Sequence, residues 1–182
     1  MAVKLLGISG SLRADSSNTK LMREALRLFG EAETAEANLR LPLYDGDLEE
    51  AEGIPPEVQT LADQIAAADA LVISGPEYNK GISGVLKNAL DWVSRTDVFP
   101  WNGKPVAIMS AASGRAGGER TQMMLRACLV AFRPRLLQGP EVMLAQGREQ
   151  FDEAGRLTNE RTEKTLTALM AALQEEVRRQ GL

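Results

Sequence analysis

The sequence predicts an α/β fold, a doubly wound sheet of five parallel strands with helices on both faces. Short apolar segments alternate along the chain with longer segments whose apolar residues recur at helical spacing. The short segments are apolar throughout, which is typical of parallel strands covered on both sides. On a prior of roughly 150 residues per domain, the 182 residues are expected to form a single domain, residues 1–182.

The first part of the chain contains two predicted strands, a helix between them and an irregular segment. Residues 4–9 form a short apolar strand, and apolar residues then recur at helical spacing from 21 to 29 until a glycine follows. Residues 33–39 alternate polar and apolar side chains, as in a strand near a sheet edge. Residues 41–56 are rich in acidic residues, glycine and proline, and we expect a surface loop there.

The rest of the chain repeats the alternation of helix and strand. Each helix is predicted from a stripe of apolar residues and each strand from a compact apolar run. The elements are a helix at 58–68, a strand at 70–73, a helix at 85–93, a strand at 106–109, a helix that ends before Pro134, a strand from Leu136 to Leu144 broken by Gly139-Pro140, and a last helix at 166–177. In the helix before Pro134, we expect Met123, Met124 and Cys128 to fill the core.

The composition excludes several kinds of catalysis and partner. The sequence has no histidine, which removes Ser-His-Asp and Cys-His catalysis and imidazole metal ligands, and we expect no metal site. The formal net charge of −4 gives no indication of the basic surface that is typical of nucleic-acid binding. No apolar run approaches the ~20 residues of a membrane span. We therefore expect a cytoplasmic protein that binds neither nucleic acid nor membranes.

Three loops follow the predicted first, third and fourth strands, and the carboxyl ends of parallel strands share one edge of the sheet. The first loop, residues 10–18, runs straight into a helix and carries hydroxyl, amide and guanidinium groups. Together with the free N–H groups at the helix start, these groups favour binding of a phosphate. The candidate phosphate ligands are Ser11, Arg13, Ser16, Ser17 and Asn18.

Two alternatives remain open for the first loop. Ser16 or Asn18 can cap the helix, since both residue types are preferred at that position. Capping explains one residue of the loop and leaves the others unexplained. Asp15 can pair with Arg13 when no ligand is bound.

The second and third loops offer groups that suit a flat ligand. Residues 75–81 contain proline and glycine, and Tyr78 and Asn79 supply an aromatic face and an amide. Residues 110–118 are mostly small, so the backbone can approach a ligand closely. Each of these loops alone is equally well explained as a turn. Their shared edge with the first loop is what favours a single binding site.

Three motifs in these loops and the helix that follows resemble one known family. Residues 10–13 (Gly-Ser-Leu-Arg) with Ser16 and Asn18, residues 76–79 (Pro-Glu-Tyr-Asn) and residues 84–92 (Gly-Val-Leu-Lys-Asn-Ala-Leu-Asp-Trp) together resemble the NADPH-dependent FMN reductases. Soluble quinone, chromate and ferric reductases of flavodoxin-like fold belong to this family. The resemblance runs from about residue 4 to the last helix and implies the strand order 2-1-3-4-5.

The resemblance implies FMN as the cofactor and NADPH or NADH as the co-substrate. The phosphate would be held by Ser11, Arg13, Ser16, Ser17 and Asn18, the isoalloxazine ring would be lined by Pro76, Glu77, Tyr78 and Asn79, and its far side would be closed by Ser113 and Gly114. The family transfers hydride to the flavin and then electrons to a small acceptor such as a quinone, chromate, a ferric chelate or an azo compound, in ping-pong order. The flavin supplies this chemistry, so no residue is assigned as a catalytic acid or base.

The resemblance also implies a homodimer or homotetramer with the flavin near the subunit boundary. Arg120 and Glu141 lie in the matching region and would make contacts between subunits. The family's tetramer network uses a tyrosine on the helix after the third loop. This chain reads Thr-Gln-Met-Met at residues 121–124, which departs from that pattern.

Two other functions are compatible with the predicted fold. The first is an FMN electron carrier of the flavodoxin kind that serves a protein partner. The modest net charge and Arg13 disfavour it, since such carriers are usually far more acidic. The second is a phosphorylated receiver domain, which needs an aspartate at the end of the third strand. This chain reads Ser-Gly-Pro at residues 74–76.

Overall fold

A six-stranded parallel sheet forms the centre of the computed structural model, which describes residues 2–181. The strands are β1 (Lys4–Ser9), β2 (Glu33–Glu36), β3 (Ala70–Gly75), β4 (Pro105–Ala111), β5 (Arg135–Leu136) and β6 (Met143–Leu144). The order across the sheet is β2-β1-β3-β4-β5, and β6 also pairs with β4. The predicted order is therefore confirmed.

The two short strands β5 and β6 together take the place of the predicted fifth strand. β5 pairs with the start of β4 at Pro105 and Val106, and β6 pairs with its end at Ser110 and Ala111. The chain leaves the sheet between them at Gly139-Pro140. The sheet therefore has six strands where the sequence predicts five, because the chain is interrupted between residues 136 and 143.

Helices cover the sheet on both faces. They are α1 (Ser17–Phe29), α2 (Gly46–Glu52), α3 (Pro56–Ala67), α4 (Gly84–Val93), α5 (Glu119–Leu129) and α6 (Glu160–Arg179). One core cluster joins apolar residues of α1 and α6 to one face of the strands, and a second joins α3, α4 and α5 to the other face. Every residue of β3 and β4 is buried between these layers, which explains why their sequences are apolar throughout.

The segment predicted as a surface loop, residues 41–56, contains the short helix α2. Asp45 caps this helix by accepting a hydrogen bond from the N–H of Asp47 at 3.0 Å. None of the residues of α2 is buried. The helix therefore has no apolar stripe, and periodicity gives no signal for it.

The sequence correctly places α5, but the face expected to be buried is wrong. Met123, Met124 and Val130 are 64%, 43% and 71% exposed, and Cys128 is half-buried. The buried face carries Thr121, Gln122, Leu125 and Leu129 instead. The side-chain amide of Gln122 donates hydrogen bonds to Ser110 Oγ (2.9 Å) and to the carbonyl of Val142 (2.8 Å). A polar residue can be buried here because its N–H groups are hydrogen-bonded.

Within residues 2–181, the helices are too short or too polar to cross a membrane.

Candidate functional site

A cleft opens at the carboxyl ends of β1, β3 and β4, where the three predicted loops meet. Its lining residues are Ser11, Arg13, Asp15, Ser16, Ser17, Asn18, Pro76, Glu77, Tyr78, Ala111, Ala112, Ser113 and Arg148. Nine of the eleven candidate residues line the cleft, and Asn79 and Gly114 do not. The position after the strands is the one expected for a ligand site in a doubly wound sheet.

The first loop ends at the N-terminus of α1, which lies at this cleft. Ser16 caps the helix, since its Oγ accepts a hydrogen bond from the N–H of Thr19 at 3.3 Å. The capping alternative is therefore correct for Ser16. The main-chain N–H groups of Ser17 and Asn18 belong to the first turn of α1, where no intrahelical acceptor exists. Both residues line the cleft, so this end of it can bind an anion.

Asn18 ties the start of α1 to the ends of two neighbouring strands. Its Oδ1 accepts hydrogen bonds from Ser74 Oγ and from the N–H of Ala111, both at 2.9 Å, and its Nδ2 donates to the carbonyl of Ala111 at 2.8 Å. The side chain is buried. One side-chain N–H and the main-chain N–H are left to meet a ligand.

The charged residues at this end of the cleft do not pair as expected. Asp15 forms an ion pair with Lys20, not with Arg13. The hydrogen bond and positive charge of Lys20 hold the pKa of the Asp15 carboxyl below its usual range, and the nearby charges of Arg13 and Arg148 add to this effect. Among residues 2–181, Arg13 has no carboxylate partner. Its guanidinium is free to bind a phosphate.

Arg148 is a cleft residue that sequence reasoning missed. It lies in a single 3-10 turn, Gly147–Glu149, shortly after β6. Gly147 allows this turn to pack closely against the start of α1, since a Cβ at residue 147 would lie only 3.1 Å from the Cβ of Ser17. The N–H of Gly147 donates to the carbonyl of Ala112 at 3.0 Å. The sequence offers one indication of this position. The last strand of a parallel sheet ends at the same edge as the others, so the residues that follow it also reach that edge.

The second loop places an aromatic side chain at the cleft and turns back on itself. Tyr78 is 49% exposed, and its hydroxyl lies 3.4 Å from Ser11 Oγ. Tyr78 and Gly81 exchange two main-chain hydrogen bonds of 3.1 Å, with Asn79 and Lys80 between them at φ of 49° and 66°. Asparagine tolerates this left-handed conformation better than most residues. Asn79 is therefore explained by the turn, and its side chain lies outside the cleft lining.

Glu77 connects the second loop to the helix that follows the third loop. Its carboxylate accepts a hydrogen bond from the main-chain N–H of Arg120 at 3.0 Å and pairs with the Arg120 guanidinium at 3.7 Å. The N-cap of α5 is Gly118, which has no side chain to cap the helix. The carboxylate of Glu77 thus supplies the missing cap and stabilises the N-terminal end of the helix dipole.

The third loop contributes Ala111, Ala112 and Ser113 to the cleft. Gly117 allows the chain to turn behind them, because a Cβ there would lie 2.5 Å from the main-chain carbon of Met143 and its φ is 61°. A Cβ on Gly114 would meet no atom within 4 Å. The glycine at 114 is therefore not required by packing.

The third motif, residues 84–92, supports the site without lining it. Asn88 Nδ2 and Trp92 Nε1, both on α4, donate hydrogen bonds of 2.8 Å to the carbonyl of Pro42. Ser83 caps α4 and donates to the carbonyl of Gly10 at 2.8 Å. These contacts fix the segment before α2 and the start of the first loop against α4.

Comparisons with known proteins agree on one family. A family model described as NADPH-dependent FMN reductase matches residues 3–149. An NAD(P)H-dependent FMN reductase of Pseudomonas aeruginosa is 44% identical over 179 residues, which cover 97% of this chain and 96% of the relative. A quinone reductase of Escherichia coli is 35% identical over 181 residues, with coverage of 97% and 96%.

Solved structures show the same relationship. A flavoenzyme NAD(P)H:(acceptor) oxidoreductase from Paracoccus denitrificans superposes with a TM-score of 0.87 and 32% identity over 97% of this chain and 98% of that one. A flavodoxin from the domain Archaea superposes with a TM-score of 0.64 at 9% identity, over 97% and 99% of the two chains. The second likeness shows a shared fold.

Proposed function

The chain belongs to the family of NADPH-dependent FMN reductases, and on that premise we propose that it reduces quinones and other small acceptors with NADPH or NADH through bound FMN, in ping-pong order. The redox chemistry is that of the bound flavin, which takes hydride from the nicotinamide and gives electrons to the acceptor. The observation that carries the proposal is the cleft, where groups suited to a phosphate and groups suited to a flat ring meet at one sheet edge.

The residues of the first loop fit the phosphate of FMN. An FMN phosphate carries about −1.5 to −2 charges at pH 7. Arg13 offers a guanidinium without a carboxylate partner among the described residues, and Ser17 and Asn18 offer N–H groups at a helix start. The proposed phosphate ligands are Ser11, Arg13, Ser16, Ser17 and Asn18, with Ser16 acting also as the helix cap.

The second and third loops fit the isoalloxazine ring. Tyr78 is half-exposed at the cleft, and Pro76 and Ser113 also line it. Glu77 and Asn79 would act through the shape of the loop, since the first caps α5 and the second lies in the tight turn. Gly114 would leave room at the far side of the ring.

The two cleft carboxylates are both engaged in ion pairs. Asp15 pairs with Lys20 and Glu77 with Arg120. No residue is therefore assigned as a general acid or base, which agrees with a sequence that has no histidine. An exposed flavin selects acceptors weakly by shape, and we include chromate, ferric chelates and azo compounds among the proposed acceptors.

Initial-rate kinetics test the proposed mechanism. FMN-loaded protein is assayed with NADPH, and separately with NADH, at several fixed quinone concentrations. Ping-pong order predicts parallel lines in double-reciprocal plots, because each substrate reacts with a different form of the enzyme. Intersecting lines would contradict the proposed order, and no turnover with either nicotinamide would contradict the proposed function.

A second copy of this chain is the proposed protein partner. Exposed apolar side chains lie on the outer face of α5, at Met123 and Met124, and just beyond its end, at Val130. Burial of such a surface against a partner is favourable. Arg120 and Glu141 would lie at the same boundary. Within one chain Arg120 already pairs with Glu77, so an intersubunit contact would have to share or replace that pair.

A further inference from the structure

Arg148 is placed at the cleft by a segment with several main-chain supports. The N–H of Gly147 bonds to Ala112, and the N–H of Glu149 closes the 3-10 turn by donating to the carbonyl of Gln146 at 2.9 Å. Beyond the turn, Phe151 pairs with Leu157 in an isolated bridge. The backbone that carries the Arg148 guanidinium is therefore held against the start of α1 and the end of β4.

The electrostatic surroundings of Arg148 are those of an anion site. Among residues 2–181, Arg148 has neither an ion pair nor a side-chain hydrogen bond. It is close enough to lower the pKa of Asp15, whose carboxylate is paired with Lys20. Two guanidinium groups, Arg13 and Arg148, thus line this end of the cleft without a carboxylate partner. Their combined charge matches that of a phosphate monoester, about −1.5 to −2.

The two guanidinium groups come from different parts of the chain. Arg13 follows β1 in the first loop and precedes α1, whereas Arg148 follows β6, where the neighbouring Gly147 packs against Ser17 at the start of α1. A phosphate at the free N–H groups of α1 would meet one guanidinium from each segment. Charge-assisted hydrogen bonds of this kind are stronger than neutral ones.

We infer that Arg148 is a second phosphate-binding residue, which with Arg13 clamps the terminal phosphate of FMN and makes the site select FMN over riboflavin. This inference rests on the proposed binding of FMN in the cleft. It assigns to the segment after the last strand a function that the three loop motifs do not include.

The test compares two flavins that differ in the phosphate. Apoprotein is titrated with FMN and with riboflavin, and the dissociation constant is measured from quenching of flavin fluorescence. The variants are Arg148→Gln, Arg148→Lys and the control Arg178→Gln, which removes one exposed charge on α6. Thermal unfolding of each apoprotein checks that the variants fold.

We expect Arg148→Gln to weaken FMN binding by about 10- to 100-fold, the range for a lost charge-assisted hydrogen bond. Riboflavin binding should change less than about twofold, since riboflavin has no group for Arg148 to bind. Arg148→Lys should fall between wild type and Arg148→Gln, because lysine keeps the charge but not the fork. Arg178→Gln should match wild type for both flavins.

Two outcomes would overturn the inference. One is an Arg148→Gln variant that binds FMN as tightly as Arg178→Gln does, and the other is an equal loss of FMN and riboflavin binding. Neither outcome bears on turnover, which is measured separately on wild-type protein. A wild-type protein that binds FMN but reduces no acceptor would refute the proposed function and leave the comparison of flavins valid.

Discussion

At the scale of single residues, Asn18 occupies a position in the first loop that predicts a ligand contact, yet most of its side chain serves the fold. Three hydrogen bonds connect it to Ser74 on β3 and to both main-chain groups of Ala111 on β4. The first loop of the cleft ends at α1, and the second and third loops follow β3 and β4. The side chain therefore sets the relative position of the loops, whatever else it binds.

Replacement of Asn18 by alanine should destabilise the apoprotein. The change removes three buried hydrogen bonds and leaves Ser74 and Ala111 without partners, which we expect to lower the free energy of unfolding by about 2 to 4 kcal/mol. Urea unfolding of the FMN-free protein measures this. The control is Ser17→Ala, at the residue that precedes Asn18. It should change the free energy of unfolding by less than about 0.5 kcal/mol.

Equal stability of Asn18→Ala and Ser17→Ala would contradict this interpretation of Asn18.

The residue types in the first loop predict a phosphate site, because hydroxyl, amide and guanidinium groups next to a helix start form a recognisable pattern. The structure places these residues at the cleft, and their binding of a phosphate stays a prediction. Arg148 could not be found in that way, since a lone arginine in a loop forms no pattern. Its place in the cleft depends on the packing of Gly147 against Ser17. That contact joins residues far apart in sequence. The strand order indicates only that the chain after the last strand returns to this edge of the sheet, and the folded chain shows which of its residues lines the cleft.

At the scale of elements, the buried strands were the most predictable features. β1, β3 and β4 are short apolar runs, and the structure places them where the sequence does, with β3 and β4 extended by a few residues. α2 was missed because a helix without a buried face has no periodic signal. The face of α5 was wrong because Gln122 is buried by its hydrogen bonds, while Met123 and Met124 remain exposed.

A buried carboxylate joins α1 to the segment before α6. Glu24, with 4% of its side chain exposed, accepts hydrogen bonds from Arg27, from Arg156 and from the N–H of Leu157. Burial alone would raise its pKa. The hydrogen bonds from Arg27, Leu157 and Arg156 outweigh this effect and hold the pKa of Glu24 below its ordinary value.

The lowered pKa of Glu24 predicts a pH-dependent contribution to stability. A carboxyl group whose pKa is lower in the folded state stabilises the fold above its unfolded pKa, about 4.3, and loses this effect as the pH falls through the folded value. Glu24→Gln should therefore lower the free energy of unfolding by about 2 to 4 kcal/mol at pH 7. The difference between variant and wild type should shrink below about pH 4.

Urea unfolding at several pH values measures this difference. The matched control is Glu175→Gln, which removes a carboxylate that is 56% exposed and paired with Arg179. Surface pairs of this kind contribute about 0 to 1 kcal/mol. A Glu24→Gln effect as small as that of the control, or one that does not change with pH, would refute this role of Glu24.

At the scale of the whole molecule, the doubly wound sheet explains why one edge carries the site. Parallel strands present all their carboxyl ends on that edge, so loops distant in sequence meet there. The two core clusters hold the helices on opposite faces. What the fold leaves exposed is the apolar outer face of α5 next to the same edge, since a Cβ on Gly81 would lie 3.3 Å from the sulfur of Met124.

Substitution on this face tests the proposed self-association. Met123→Glu would place a charge in an apolar interface, which is costly to desolvate. We expect wild-type protein to sediment as a dimer or tetramer and Met123→Glu to sediment as a smaller species. The control Ala171→Glu, at an exposed position on α6, should assemble as wild type does. A monomeric wild type, or a Met123→Glu variant that assembles normally, would contradict the proposal.

Separate observation of the two half-reactions distinguishes a reductase from an electron carrier. FMN-loaded protein is mixed with NADPH or NADH in the absence of oxygen, its visible absorbance is followed, and a quinone is then added after the nicotinamide is consumed. For a reductase, we expect the flavin absorbance to be lost with nicotinamide alone and to return with quinone alone. Flavin that stays oxidised with both nicotinamides, and is reduced only when a partner reductase is added, would refute the proposed reductase activity and identify an electron carrier.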